Sequence, residues 1–207
     1  MIKIIDYGMG NLKNVQKAFE MVGYQAEITQ DKEEILAADG IVLPGVGAFK
    51  DAMENLERLK LIEIIKTVIE QGKPFLGICL GLQLLFTASE EFGVTEGLDI
   101  ISGRVKRFSQ NLELKIPHIG WNQLDLKRKN EIYEDIENGE HQYFVHSYYV
   151  VPDDEGVVAT RTKYGIEFVS SVRKDNIYAV QFHPEKSSHK GLQILKNFGK
   201  IVNDKER

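Results

Sequence analysis

Gly77-Ile78-Cys79-Leu80-Gly81 is the stretch on which the fold of this chain turns. It grows out of an apolar run, Pro74-Phe75-Leu76-Gly77-Ile78, that reads as a buried strand. It opens a helix-like run, Leu80-Gly81-Leu82-Gln83-Leu84-Leu85-Phe86. Glycine two places before and two places after a nucleophile, between a strand and a helix, is the nucleophile-elbow pattern with cysteine in place of serine. The turn is tight, so side chains beside the nucleophile would clash, and glycine removes them. A thiol so placed sits at a helix N-terminus, where the dipole and free amide groups favour thiolate. Cys79 is the only cysteine of the chain. A lone cysteine in apolar surroundings is ordinarily a buried, inert small hydrophobe, so the elbow implies catalysis only if a base joins it.

Upstream, Ile2 to Ile5 reads as a strand ending at Asp6, followed by the turn Tyr7-Gly8-Met9-Gly10-Asn11. Leu12, Val15, Phe19 and Val22 recur at helical spacing and Gly23 stops that helix. Gln25 to Thr29 is a second strand, Asp31 to Ala38 a short helix capped by Asp31, and Gly40-Ile41-Val42-Leu43 a third strand running into Pro44-Gly45-Val46-Gly47. Strands alternating with helices predict βαβ units and a parallel sheet. The turn at 8–11 lacks the third glycine of a dinucleotide fingerprint. It reads as a strand-to-helix connection with Asn11 as cap, at the carboxyl end of a strand, where open α/β sheets place ligands or partners. Residues 51–71 read as the longest helix, with Met53, Leu56, Leu59, Ile62, Ile65 and Ile69 as its stripe, stopped by Gly72-Lys73-Pro74. The helix after the elbow is expected to close at Glu90-Glu91-Phe92-Gly93.

From about residue 97 the rhythm changes to short alternating runs: Ile100 to Phe108, Ile119 to Leu126, Gln142 to Val151, Val157 to Thr162, Glu167 to Val172 and Ile177 to Gln181. These predict strands, several antiparallel. A last helix spans Lys190 to Val202. The expectation is one α/β domain over residues 1–207, with a mixed, mostly parallel sheet flanked by helices and extra antiparallel strands in the C-terminal half.

The base comes from the strand Ile177-Tyr178-Ala179-Val180-Gln181-Phe182, which delivers His183-Pro184-Glu185. On an extended chain residues 183 and 185 share one face, and Pro184 cannot continue a ladder. An imidazole and a carboxylate emerging together are what a nucleophilic thiol needs. His189 reads as a cap or solvated group, and His118 and His146 as candidate core residues. Acyl transfer also needs two donors for the developing oxyanion. The N–H of Leu80 is one, and the Pro44-Gly45-Val46-Gly47 loop is suited to supply the other. No zinc-type Cys/His spacing is present, so no metal is expected.

Hydrophobic residues make up 43% of the 207-residue chain and the net charge is −5, so nothing in the electrostatics points to nucleic acid. Lys127-Arg128-Lys129 reads as a solvated turn. No window approaches the roughly 20 apolar residues of a membrane span, the N-terminal apolar run is too short for a signal peptide, and one cysteine fits a reducing compartment. A soluble cytoplasmic protein is expected.

The elbow, the P-G-V-G loop and Gln181-Phe182-His183-Pro184-Glu185-Lys186-Ser187 together resemble class-I glutamine amidotransferases. Asp6-Tyr7-Gly8-Met9-Gly10-Asn11-Leu12, Pro117-His118-Ile119-Gly120-Trp121-Asn122 and Tyr143-Phe144-Val145-His146-Ser147-Tyr148 are similar to segments of the glutaminase subunits of imidazole glycerol phosphate synthases, so the resemblance spans nearly the whole chain. It implies Cys79 as nucleophile, His183 as general base and acid, and Glu185 as orienting carboxylate. Leu80 and Val46 become the oxyanion donors, with Gly47 beside them. Gln83, Glu91, Ser147 and Tyr148 become contacts to L-glutamine, and Asn11, Asn14, Trp121, Tyr143 and Lys186 become residues of the partner face and ammonia path. The implied partner is a (β/α)8-barrel cyclase, which uses the ammonia to convert PRFAR to imidazole glycerol phosphate and AICAR in histidine biosynthesis. No cofactor is implied. The alternatives are a stand-alone cysteine γ-glutamyl hydrolase, a glutaminase serving another synthase, and a non-enzymatic binding module.

Overall fold

The computed structural model describes residues 1–109 and 114–204. In chain order the elements are β1 (Ile2–Ile5), α1 (Leu12–Met21), β2 (Ala26–Thr29), α2 (Lys32–Ala37), β3 (Gly40–Gly45), α3 (Phe49–Arg58), α4 (Ile62–Glu70), β4 (Phe75–Cys79), α5 (Leu80–Leu84), β5 (Phe86–Ser89), β6 (Thr95–Glu96), β7 (Ile101–Arg107), β8 (His118–Gln123), β9 (Asp125–Leu126), β10 (His141–His146), β11 (Tyr148–Pro152), β12 (Val158–Tyr164), β13 (Ile166–Lys174), β14 (Ile177–Val180) and α6 (Ser188–Asp204).

The main sheet has the order β2-β1-β3-β4-β14-β13-β11-β7-β5-β6, with β12 added on β13 and β9 on β12. The first five strands are mutually parallel. The next three join antiparallel, β5 pairs parallel with β7 and β6 antiparallel with β5. The expected mixed, mostly parallel sheet with antiparallel additions is therefore what forms. Strands β3, β4 and β14 are buried along their whole length. Helices cover both faces, which is why these strands read as unbroken apolar runs. Side chains of α2 to α5 fill one core, among them Ile35, Phe49, Leu56, Ile65 and Leu82. Val15 and Phe19 of α1 and Ile194, Leu195 and Phe198 of α6 fill the other.

Three expectations are overturned. Residues 51–71 are not one helix: α3 and α4 are separated at Lys60, whose φ of +55° reverses the chain while the N–H of Leu61 returns to the carbonyl of Leu56 at 2.9 Å. This is a left-handed helix terminator on a non-glycine residue, and it drives Leu61 fully into the core. The apolar stripe exists but is divided over two helices, and the longest helix is α6. The helix after the elbow lasts only five residues, so Glu90 to Gly93 close no helix. Phe86 onward extends instead and pairs with β7, because a short apolar run carries no period of its own and the neighbouring strand decides it. The run Gln142 to Val151 breaks at Ser147, so that β10 pairs with β8 in a separate two-stranded sheet and β11 enters the main sheet. At the N-terminus of α2, Asp31 caps as expected, accepting from the N–H groups of Glu33 and Glu34 at 2.8 and 3.0 Å. Asn11 stands at the N-cap of α1 but its side chain makes no cap bond.

Candidate active site

Strand β4 lies between β3 and β14, all three parallel, so their carboxyl ends bring together three loops that are far apart in the chain. These are Pro44–Gly47, the elbow and the His183 segment. Gly45 pairs with Cys79 in the last rung of β3 and β4.

Cys79 adopts φ +55° and ψ −107°. A non-glycine residue held there costs about 1–3 kcal/mol and persists only where its surroundings impose it. They do. A β-carbon on Gly81 would lie 1.8 Å from the carbonyl oxygen of Leu43, and one on Gly77 would lie 2.9 Å from that of Gly81. The two glycines of the pattern are thus required by close backbone approach on either side of the thiol.

His183 is itself extended, but the chain does not continue so beyond it. Residues 184–186 form a 3-10 turn begun by Pro184, which corrects the shared-face expectation while leaving its consequence intact. The Glu185 side chain turns back and its Oε1 meets Nδ1 of His183 at 2.8 Å, both side chains being almost fully buried. Strand β10 clamps this turn. The N–H of His183 donates to the carbonyl of Tyr143 at 2.9 Å, the N–H of Tyr143 to Ser187 Oγ at 2.9 Å, and Ser187 Oγ to the carbonyl of His183 at 2.6 Å. Nε2 of His183 is buried, and the Cys79 sulfur stands close enough to the imidazole to favour its charged form. Burial opposes the imidazolium, but the Cys79 sulfur and the Glu185 carboxylate outweigh it and push the pKa of His183 up to about 10. Both neighbours thus favour the charged form of the imidazole.

The thiol opens into a cavity of about 440 Å3 lined by Val46, Gly47, Leu80, Gln83, Glu91, Ser147, Tyr148 and Lys186, with Pro117, Val145 and His146 completing its wall. A larger cavity of about 910 Å3, between Arg128 and Lys200, contains neither the thiol nor the imidazole. Gln83 is turned inward: its Nε2 donates to the carbonyl of Tyr148 at 3.1 Å and to Oε1 of Gln181 at 3.0 Å. Glu91 accepts the N–H of Phe49 at 2.7 Å and so also caps α3. Asn11, half-buried, and Asn14, exposed, stand at the start of α1, which packs beside the 184–186 turn. Trp121 is 52% exposed and meets the ring of Tyr143 edge-on at 6.1 Å.

Two residues of the site escape sequence reasoning. Gln181, fully buried, donates to the Cys79 sulfur at 3.6 Å and ties it to Gln83. Ser187 carries the clamp just described. Their signals are a glutamine two places before His183 and a serine two places after Glu185. His118 and His146 are buried, as anticipated for core residues, and bonded to one another at 3.0 Å. Nδ1 of His146 must donate to the carbonyl of Tyr148, 2.8 Å away. Its Nε2 therefore accepts from His118, whose own Nε2 accepts from Asn122. Burial holds both imidazoles neutral, at pKa about 4 for His118 and about 3 for His146.

These shifts predict a pH profile. His183, raised from 6.5, stabilises the fold fully below that value and ceases to do so as pH rises through about 10. His118 and His146, lowered from 6.5, contribute above that value and lose their contribution as pH falls through about 4 and 3. Urea midpoints should peak near neutrality and fall on both sides, and His183→Gln should flatten the alkaline limb. An alkaline limb unchanged by that substitution would contradict the assignment.

A model of the family described as glutamine amidotransferase class-I matches residues 3–202. The chain belongs to this family. Among relatives of this amidotransferase, a protein of Geobacter metallireducens named imidazole glycerol phosphate synthase subunit HisH is 57% identical over 202 residues, covering 95% of this chain and 96% of the relative. Proteins with the same name from Geobacter sulfurreducens and Aquifex aeolicus are 56% and 57% identical, covering 97% and 94% of this chain and 98% and 94% of theirs. A crystal structure titled glutamine amidotransferase superposes with a TM-score of 0.75 at 18% identity, covering 98% of each chain. It supports the amidotransferase fold of this chain.

Proposed function

We propose that this chain, acting as one unit over residues 1–207, is the glutaminase subunit of an imidazole glycerol phosphate synthase. The carrying observation is that Cys79 opens into a cavity whose wall holds Gln83, Glu91, Ser147 and Tyr148, with the buried His183–Glu185 pair beside its sulfur. In this reading the Cys79 thiolate adds to the side-chain amide carbon of L-glutamine. The N–H groups of Leu80 and Val46, next to Gly47, hold the oxyanion. His183, kept protonated and aligned by Glu185, gives its proton to the departing ammonia, and a γ-glutamyl thioester remains. Water then adds to the thioester with His183 as base, the C–S bond breaks, and glutamate leaves. The amino-acid end of glutamine lies against Glu91 and the Ser147–Tyr148 backbone, which Gln83 steadies. None of these steps calls for a metal or cofactor.

The ammonia goes to a cyclase barrel seated over the mouth of the cavity, where it meets PRFAR. Support for that face comes from Val46, 40% exposed, and Lys186 on the cavity wall, and from β8, where exposed Ile119 is the rung partner of Val145 on that wall and exposed Trp121 that of Tyr143, with Asn11 and Asn14 on α1 as the further expected contacts. Among the described residues no helix is long and apolar enough to cross a membrane, and the reading places the enzyme in the cytoplasm. The test is glutamate release with and without a cyclase subunit and its substrate. Release should rise at least tenfold when both are added. Full activity of the chain alone would favour a free-standing γ-glutamyl hydrolase instead.

A further inference from the structure

Tyr7 belongs to a segment, Asp6 to Leu12, in which only Asn11 has been given a role, on the partner face. It is fully buried, and its hydroxyl has no hydrogen-bond partner. A buried hydroxyl with no protein partner costs about 1–3 kcal/mol, and phenylalanine would fill the same space without that cost. Folding therefore gains nothing from this oxygen. Its location is specific. The oxygen lies 2.2 Å from where a β-carbon on Gly45 would stand, and Leu80 Cβ lies 2.9 Å from the same point. Gly45 is the rung partner of Cys79. The phenol thus reaches the place where β3 ends, beside the elbow and one residue before Val46. Burial and then the charge at Cys79 raise its pKa, so it remains a proton donor and cannot act as a base.

We propose that the Tyr7 hydroxyl is a positioning group of the reaction, which hydrogen-bonds the Gly45 carbonyl when glutamine is bound and so aims the N–H of Val46 at the oxyanion. A peptide group is planar, and its carbonyl and N–H point in opposite directions. A donor that grips the carbonyl of Gly45 therefore fixes where the N–H of Val46 points. The glycine at 45 keeps the phenol oxygen in reach, since any side chain there would displace it. The inference rests on the glutaminase reading and on Val46 as donor. Removing an oxyanion donor outright costs a hundredfold to a thousandfold in kcat, and a group that only aims one should cost less.

The experiment compares the whole chain with its Tyr7→Phe variant, each with the cyclase subunit. The variant should lose about tenfold in kcat for glutamine with KM within twofold, the split expected when only transition-state contacts weaken. Its melting temperature should be unchanged or higher. Alkylation of Cys79 by iodoacetamide should proceed at the parent rate, because that displacement builds no oxyanion. A kcat within twofold of the parent would overturn the proposal. So would alkylation slowed in step with turnover, which would place the effect on the thiol, or a lowered melting temperature, which would make the bond a structural one. Absence of glutamate release from the parent chain would overturn the glutaminase reading and this inference with it. Failure of the inference alone shows only in the ratio of the two chains.

Discussion

Cys79→Ala should hydrolyse glutamine roughly a million-fold more slowly than the parent chain, the scale on which loss of a nucleophile collapses a hydrolytic constellation that works as a unit. The imidazole of His183, its partner Glu185 and any oxyanion donors would remain, but without sulfur no acyl-enzyme can form. The substitution is mild for the fold. Cys79 is 6% exposed, its contact with Gln181 at 3.6 Å is weak, and alanine meets the same positive φ that cysteine already bears. The variant should therefore fold within about 1 kcal/mol of the parent. Assembled with a cyclase, it should still support synthesis from added ammonium salt, since that route bypasses the thiol. Glutamate release above about one part in a hundred of the parent rate would show that another group is the nucleophile. Loss of the ammonium-dependent reaction as well would show that Cys79 is needed for structure.

Gly81→Ala should be the most damaging small substitution for stability. The new β-carbon would stand 1.8 Å from the Leu43 carbonyl oxygen and 2.9 Å from its carbon. That neighbour is backbone in the middle of a sheet, since β3 is bonded to β1 on one side and β4 on the other. No side-chain rotation relieves the clash, so β3, α5 or both must move. Ordinary overpacking costs about 1–3 kcal/mol, and a loss of about 3 kcal/mol or more is expected here. Gly77→Ala is the internal comparison. Its worst contacts are 2.9 and 3.0 Å to the Gly81 carbonyl oxygen and carbon and 3.1 Å to Ala179 Cβ, and it should lose less. Urea unfolding of both variants checks the order, and equal stability of Gly81→Ala and the parent would refute the packing explanation.

The site was legible in the sequence to the extent that it rests on local rules. A strand running into G-x-C-x-G restricts the backbone within five residues, and His183-Pro184-Glu185 advertises a base and its carboxylate at a strand end. The clamp by Ser187 and the tie from Gln181 to the sulfur were not legible. Each joins groups 44 and 102 positions apart in the chain, and serine or glutamine near a histidine carries no pattern of its own. The helix errors have the same origin. The stripe from Met53 to Ile69 keeps helical spacing across the break at Lys60, because Leu56, Leu61 and Ile65 all reach the same core. Only the core shows that the chain must turn between them. Likewise Phe86 to Ser89 leave the helix because β7 offers a ladder.

Residue order by itself determined that a thiol would stand on a strained turn between a buried strand and a helix, and that an imidazole and a carboxylate would leave a distant strand together. Steric exclusion and side-chain periodicity act over a few residues, so they can be read without a fold. Only the tertiary structure decided that β3, β4 and β14 lie side by side and parallel, which places the P-G-V-G loop, the thiol and the imidazole together at the carboxyl ends of three neighbouring strands. Strand pairing is a contact between remote segments. Its outcome depends on which partner buries the most surface and satisfies the most backbone, and that comparison exists only in the folded chain.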